Sequence, residues 1–279
     1  MREYSVVRRI WRVVYPLAIF LAVQVAVFFA AEFVIGLAVG ARGVYDAGHI
    51  AAEVDRILAD MQLWVLFGVN AVLFAVFYPM WRATRKRLPK HTGFSLKTVA
   101  LTAGMSVGMY FVISAVVAVA AKYFPSYDAV SEALTGGGFA AQFFAVGIAA
   151  PVVEELCFRG VVFNRLLYWM PVWVAAVIQS ALFGLIHMNM LQGLYAFVLG
   201  LVISWVYIRF RSMWLAIISH MAINMMNVFL VAAAGSFEVP EAELADPTAA
   251  EMLTLLIPGL VISGLFMWRL LKQPKTVNS

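Results

Sequence analysis

Eight apolar runs dominate this chain of 279 residues, and they fix the solvent in which it must fold. They lie at 13–39, 61–81, 98–121, 139–169, 172–186, 190–208, 214–234 and 252–268. A helix of about 20 apolar residues crosses the roughly 30 Å of a bilayer's hydrocarbon, and most of the runs reach that length. The fourth is interrupted by Pro151 and two glutamates, and the fifth and sixth are so close that the chain must reverse within 188–192. Composition agrees: 64% of residues are hydrophobic and 13% charged, with a mean hydropathy of +0.90. Soluble domains run near half apolar and a quarter charged. Disordered, collagen-like and disulfide-stapled classes are excluded on the same grounds. The single cysteine, Cys157, permits neither an internal disulfide nor a cysteine-based zinc cluster. The expected fold is all-α, a polytopic membrane protein of about eight transmembrane helices around an internal polar cavity, forming one domain over 1–279.

Charge sets the expected orientation. Seventeen of the 20 basic residues fall on alternate loops: Arg2, Arg8, Arg9 and Arg12; Arg82, Arg85, Lys86, Arg87, Lys90 and Lys97; Arg159 and Arg165; Arg209 and Arg211; Arg269, Lys272 and Lys275. The other loops are acidic, with Asp46, Glu53, Asp55, Asp60, Asp128, Glu132, Glu238, Glu241, Glu243, Asp246 and Glu251 against Arg42, Arg56 and Lys122. The positive-inside rule then places both termini in the cytoplasm and requires an even number of spans. This placement explains a pI near 9.4 without nucleic acid as a partner; the partner is membrane lipid. The first run is about twice the length of a signal peptide's apolar core, so it reads as a retained anchor. No internal repeat of the kind found in many secondary transporters is visible.

Ionisable groups are costly in hydrocarbon and usually serve a function there. Those within the runs are Glu32, Glu154, Glu155, Arg159, His187 and His220, with the neutral Asn224 beside the last. At 1.5 Å per residue, Glu154 lies about 20 Å, His187 about 22 Å and Asn224 about 17 Å from the basic ends of their helices. Three runs thus bring polar groups to a similar depth, near mid-membrane or on its cytoplasmic side, which points to one shared cavity. Glu155 and Arg159 have the spacing of a helical ion pair, whereas Glu154 is turned about 100° away and lacks that partner. Phe183 and His187, and likewise His220 and Asn224, are one turn apart on a common helix face.

Each of these residues alone has a plainer explanation. A buried ion pair often only holds helices together, and a lone membrane histidine or asparagine is commonly an interhelical hydrogen bond. Glu154, His187, His220 and Asn224 taken together point to a site. Glu32 lies close enough to the interface to need no role. Cys157 has the surroundings of a small inert hydrophobe, and Gly104 with Gly108 reads as helix packing.

Glu154-Glu155-Leu156-Cys157-Phe158-Arg159 reads EExxxR, Phe183 to His187 reads FxxxH, and His220 to Asn224 reads HxxxN. In this order on consecutive membrane helices, they resemble the CAAX protease and bacteriocin-processing family of intramembrane endopeptidases, which includes the type II CAAX prenyl endopeptidases. The resemblance covers a core at about 139–230. It implies eight helices and a cavity open to the cytoplasm or the adjacent lipid. It also implies that Glu154 and His187 activate a water for peptide hydrolysis while His220 and Asn224 stabilise the oxyanion. Glu155, Arg159 and Phe183 would support them, and the substrate would be a membrane-associated or lipidated peptide or protein; the short loops fit a compact protein of a prokaryotic cell membrane.

Chemistry is compatible with that reading. A carboxylate and an imidazole sharing a water form a general base, and no serine–base arrangement competes with it. Glu154, His187 and His220 offer three possible zinc ligands, but the chain has no helical HExxH, so the expectation is a reaction without a metal cofactor. A proton-coupled transporter and a non-catalytic scaffold are the alternatives; the first would show proton-coupled uptake in vesicles, and the second would be indifferent to Glu154→Gln.

Overall fold

A computed structural model describes residues 5–42, 46–85, 94–234 and 249–273, apart from the side chains of Arg85, Ala249 and Glu251. Nine helices form among them, with no strand. They are α1 (Val6–Gly40), α2 (Ala47–Arg85), α3 (Leu96–Ala120), α4 (Ser126–Thr135), α5 (Phe139–Leu166), α6 (Val172–Leu185), α7 (Met190–Phe210), α8 (Met213–Ala234) and α9 (Ala249–Leu271). The acidic stretch 235–248 lies outside the described residues, as do Arg2, Lys86, Arg87, Lys90, His91 and Lys275. The chain is an all-α polytopic membrane protein.

Every apolar run is helical over most of its length, and among the described residues fewer than eight helices qualify as spans by length and composition. Among the described residues, six helices are long and apolar enough to cross a membrane, or seven if α4 and α5, bent by 101°, are taken as one broken span. The fifth run falls short because α6 has 14 residues, about 21 Å of helix. The sequence there stays apolar through Ile186, while the backbone turns at His187 and Met188, the latter at φ 54°. Helix α4 was read as loop: ten residues with Asp128 and Glu132 among them are too short and too polar to register as a span.

Contacts between distant segments define two ends of the bundle. At the basic end, Arg165 donates to the Arg12 carbonyl at 2.5 Å and to the Tyr15 hydroxyl at 2.6 Å. Thr84 donates to the Gly160 carbonyl at 2.9 Å, and Arg209 reaches the carbonyls of Leu271 and Gln273. At the opposite end, Asn189 does two jobs. Its Oδ1 caps α7 by accepting from the Gln192 amide at 3.1 Å, and its Nδ2 donates to the Ser126 carbonyl at 3.0 Å. That pins the start of α4 against the α6–α7 turn. Gln142 donates to the Thr135 carbonyl at 2.6 Å and closes the bend between α4 and α5.

Small residues let two helix pairs approach closely. A Cβ on Gly108 would stand 2.5 Å from the Ser263 amide nitrogen, so α3 and α9 pack backbone to backbone, as expected for this glycine pair. A Cβ on Gly184 would stand 2.5 Å from the Gly193 carbonyl oxygen, which locks α6 to α7 in the same way. The main core lies towards the basic end, where Phe20, Phe77, Phe158, Phe163 and Phe183 are buried.

Candidate functional site

The site is built on α5, the helix that carries both glutamates. Its hydrogen bonding widens to i→i+5 over Gln142–Ala149 and again over Leu156–Phe163, with an ordinary α-helical segment, Ala150–Glu155, between. Pro151 has no amide hydrogen and crowds the preceding turn, and a widened turn relieves both problems. Residues in such bulges are often functional, because the altered twist re-aims side chains.

The two glutamates part as their 100° separation requires. Glu155 is fully buried and Glu154 is half-buried on the cavity wall. Glu155 Oε1 accepts from Arg159 Nη1 at 2.8 Å. The same oxygen lies 2.9 Å from His220 Nδ1. Arg159, although it had been counted with the basic ends, is 0% exposed; its Nη2 donates to the Gly200 carbonyl at 2.9 Å, and its guanidinium lies 5.1 Å from the Phe183 ring centroid. One residue thus ties α5 to α6 and α7, while Glu155 ties α5 to α8.

The histidines acquire defined tautomers from their partners. A carboxylate can only accept, so His220 Nδ1 carries the hydrogen and Nε2 is directed elsewhere. Nε2 stands 3.6 Å from Glu154 Oε2. His187 Nδ1 lies 2.7 Å from the Phe183 carbonyl, which fixes its hydrogen on Nδ1 and leaves Nε2 as a lone-pair base. The Phe183 ring meets both imidazoles edge-on, at centroid distances of 4.9 Å to His187 and 5.8 Å to His220. Asn224 Nδ2 donates to the Val146 carbonyl at 2.9 Å, in the widened part of α5, so one of its two amide hydrogens is committed there.

Glu154, Phe183, His187, His220 and Asn224 all line one cavity of about 580 Å³. Glu155, Arg159 and Cys157 do not, and Cys157 is packed at 0% exposure in the core. Sequence reasoning missed the rest of the wall: Tyr110, Tyr127, Tyr195 and Asn227 also face it, with the Tyr110 hydroxyl donating to Asn227 Oδ1 at 3.1 Å. Tyrosines are too ordinary in a chain like this to single out without knowing which helices meet.

The zinc alternative needs Glu154, His187 and His220 around one point. Among the described residues, no group of three His, Cys, Asp or Glu is placed to hold a metal ion.

Residues 136–226 match the family model described as "Type II CAAX prenyl endopeptidase Rce1-like". A curated protein of Bacillus subtilis (strain 168), "Putative membrane peptidase YdiL", is 31% identical over 84 residues, which cover 30% of this chain and 33% of that protein. The match thus spans about a third of the length of that relative. No solved structure matches. The matched segment contains EExxxR, FxxxH and HxxxN and runs from the α4–α5 bend into α8. The helical segment that carries Glu154, His187, His220 and Asn224 is therefore similar to the type II CAAX prenyl endopeptidases.

Proposed function

We propose that the chain is an intramembrane endopeptidase that cleaves a membrane-associated or lipidated peptide through a water activated in this cavity. The observation that carries the reading is the split of the adjacent glutamates. Glu155 is consumed in a buried network that orients His220, and Glu154 is left on the cavity wall beside His220 Nε2. Glu154 on the cavity wall and His187, whose Nε2 keeps its lone pair, are the groups that can take a proton from water.

In the step this supports, a water held by Glu154 and His187 attacks the scissile carbonyl carbon, and its proton passes to Glu154. The carbonyl oxygen becomes an oxyanion, for which the second amide hydrogen of Asn224 is a donor; His220 Nε2 donates as well when the ring is the imidazolium, whose charge faces Glu155. Donors of this kind are worth about 3 kcal/mol each in a water-excluded site. Collapse of the tetrahedral intermediate breaks the C–N bond, and the proton on Glu154 goes to the leaving amine. Glu155 and Arg159 take no part in these transfers; they hold the imidazole.

The test compares membrane and released peptides from cells expressing wild type and Glu154→Gln. Peptides generated only by wild type are the expected result. Equal release from a well-expressed Glu154→Gln protein would overturn the endopeptidase reading.

A further inference from the structure

The direction from which the cavity is reached follows from how its walls and floor are distributed along the helices. On α5, every residue from Glu155 to Leu166 is buried, so nothing on the basic side of Glu154 faces open space. That side is filled by an aromatic plug: Phe158 lies 4.9 Å from Phe183 and 6.2 Å from Phe20, which in turn lies 6.1 Å from Phe77. Phe77 and Phe158 are 0% exposed. Interiors of this kind are packed too tightly to pass a peptide.

The walls run the other way. At 1.5 Å per residue, His220 is about 10 Å from the basic end of α8 and Asn227 about 21 Å. On α3, Tyr110 is about 21 Å from the basic end and Ala118 about 33 Å by the same rise. Ala118 lines the cavity and is also exposed, so the wall reaches the molecular surface there. Helix α4 contributes Tyr127 and Ser131 to the same wall, held in place by the Asn189–Ser126 bond. The cavity thus lies further from the basic residues than the depth estimate on sequence alone placed it.

We infer that the cavity opens at the end opposite the basic residues, beside α4 and the α6–α7 turn, and that its substrate is a peptide segment presented from the extracytoplasmic side of the membrane. The basic end is the cytoplasmic one by the positive-inside rule, which supplies the orientation. The peptide occupant rests on the endopeptidase reading; the side of access does not.

The experiment uses full-length protein in a Cys157→Ala background, in cells and in inside-out vesicles, with a sulfonated, membrane-impermeant maleimide. Ser114→Cys and Ser131→Cys place near-isosteric thiols on the cavity wall, and Gln273→Cys marks the basic end. Labelling of both wall positions in intact cells is expected, with Gln273→Cys labelled only in inverted vesicles. Wall thiols that react only in inverted vesicles, or on neither face, would overturn the proposed opening. Reaction of Gln273→Cys in intact cells would reverse the orientation and overturn the extracytoplasmic substrate. Pre-labelling Ser131→Cys on intact cells is expected to cut Glu154-dependent peptide release at least severalfold; undiminished release would count against this route. Labelling needs no catalysis, so the same pattern read on Glu154→Gln protein separates failure of the access route from failure of the endopeptidase reading.

Discussion

His220 Nδ1 and Arg159 Nη1 both bond to one oxygen, Oε1 of Glu155, at 2.9 and 2.8 Å. A single buried carboxylate therefore compensates a buried guanidinium and sets the tautomer of an imidazole on a different helix. Scaffold and chemistry meet at that atom: the spacing of EExxxR suits the ion pair, and the ion pair fixes the orientation of HxxxN.

That sharing makes Glu155→Gln a test of positioning. The amide keeps the shape but removes the charge that Arg159 requires. Breaking a buried pair from one side typically costs about 3–5 kcal/mol. Melting in detergent should drop for Glu155→Gln and for Arg159→Ala. In the protein that remains folded, Glu155→Gln should lower kcat at least tenfold while KM changes little, and its pH–rate profile should shift, because the His220 tautomer is no longer imposed. An unchanged profile with reduced stability alone would make Glu155 a structural residue only.

Glu154→Gln should behave in the opposite way. Its carboxylate faces the cavity, and its histidine neighbour stands at 3.6 Å, so the amide substitution removes a base without breaking a close ion pair. The variant should melt within a few degrees of wild type and release no peptide. Asn224→Ala should retain the fold and lower turnover by roughly 10²-fold, the scale of a lost oxyanion donor. If Glu154→Gln unfolds while Arg159→Ala melts normally, the division of the motif is reversed.

Which of these features the sequence exposed follows from the range of each signal. Helical spacing relates residues within a turn or two, so the Glu155–Arg159 pair and the divergence of Glu154 were legible. The Glu155–His220 bond joins positions 65 apart, and no local rule reaches that far. Apolar runs announce membrane helices by length alone, which is why all eight proved helical. Length fails at α6, where the apolar run outlasts the helix, and at α4, where a short polar helix contributes to the cavity wall. The bond from Asn189 to Ser126 was equally hidden, since an asparagine before an apolar run reads only as a cap.

Activity should survive thorough removal of divalent metal. Among the described residues, no trio of candidate ligands is gathered around one point. Purified protein would be assayed for bound metal and for cleavage after chelation. Stoichiometric zinc, with activity lost on chelation and restored on adding zinc back, would establish a metal-dependent reaction.

Cys157→Ala should leave cleavage unchanged. The thiol is 0% exposed, absent from the cavity wall and packed among Val153, Phe158 and Val161 in the main core. Loss of one small buried side chain costs on the order of 1 kcal/mol, seen as a modest fall in Tm. Inactivity of a stably folded Cys157→Ala protein would point to thiol chemistry instead.

The contact between α6 and α7 gives the last prediction. A Cβ on Gly184 would stand 2.5 Å from the Gly193 carbonyl oxygen, and one on Gly193 would stand 2.9 Å from the Gly184 carbonyl oxygen. Both obstacles are backbone, so no side chain can turn aside and the helices must part. Parting them moves Phe183 on α6, and His187 in the turn just after it, away from Gly200, the α7 residue whose carbonyl receives Arg159 at 2.9 Å. Gly184→Ala should therefore lower stability by about 1–3 kcal/mol, the usual cost of overpacking, and reduce cleavage as well. Gly68→Ala is the control. Nothing lies within 4 Å of a Cβ at that mid-helix position of α2, where alanine is favoured over glycine by roughly 0.5–1 kcal/mol. Melting temperatures and cleavage rates of the two variants should move apart, Gly184→Ala falling and Gly68→Ala holding or rising. Equal melting of both would mean that α6 and α7 yield freely, and that the close approach does not hold His187 in place.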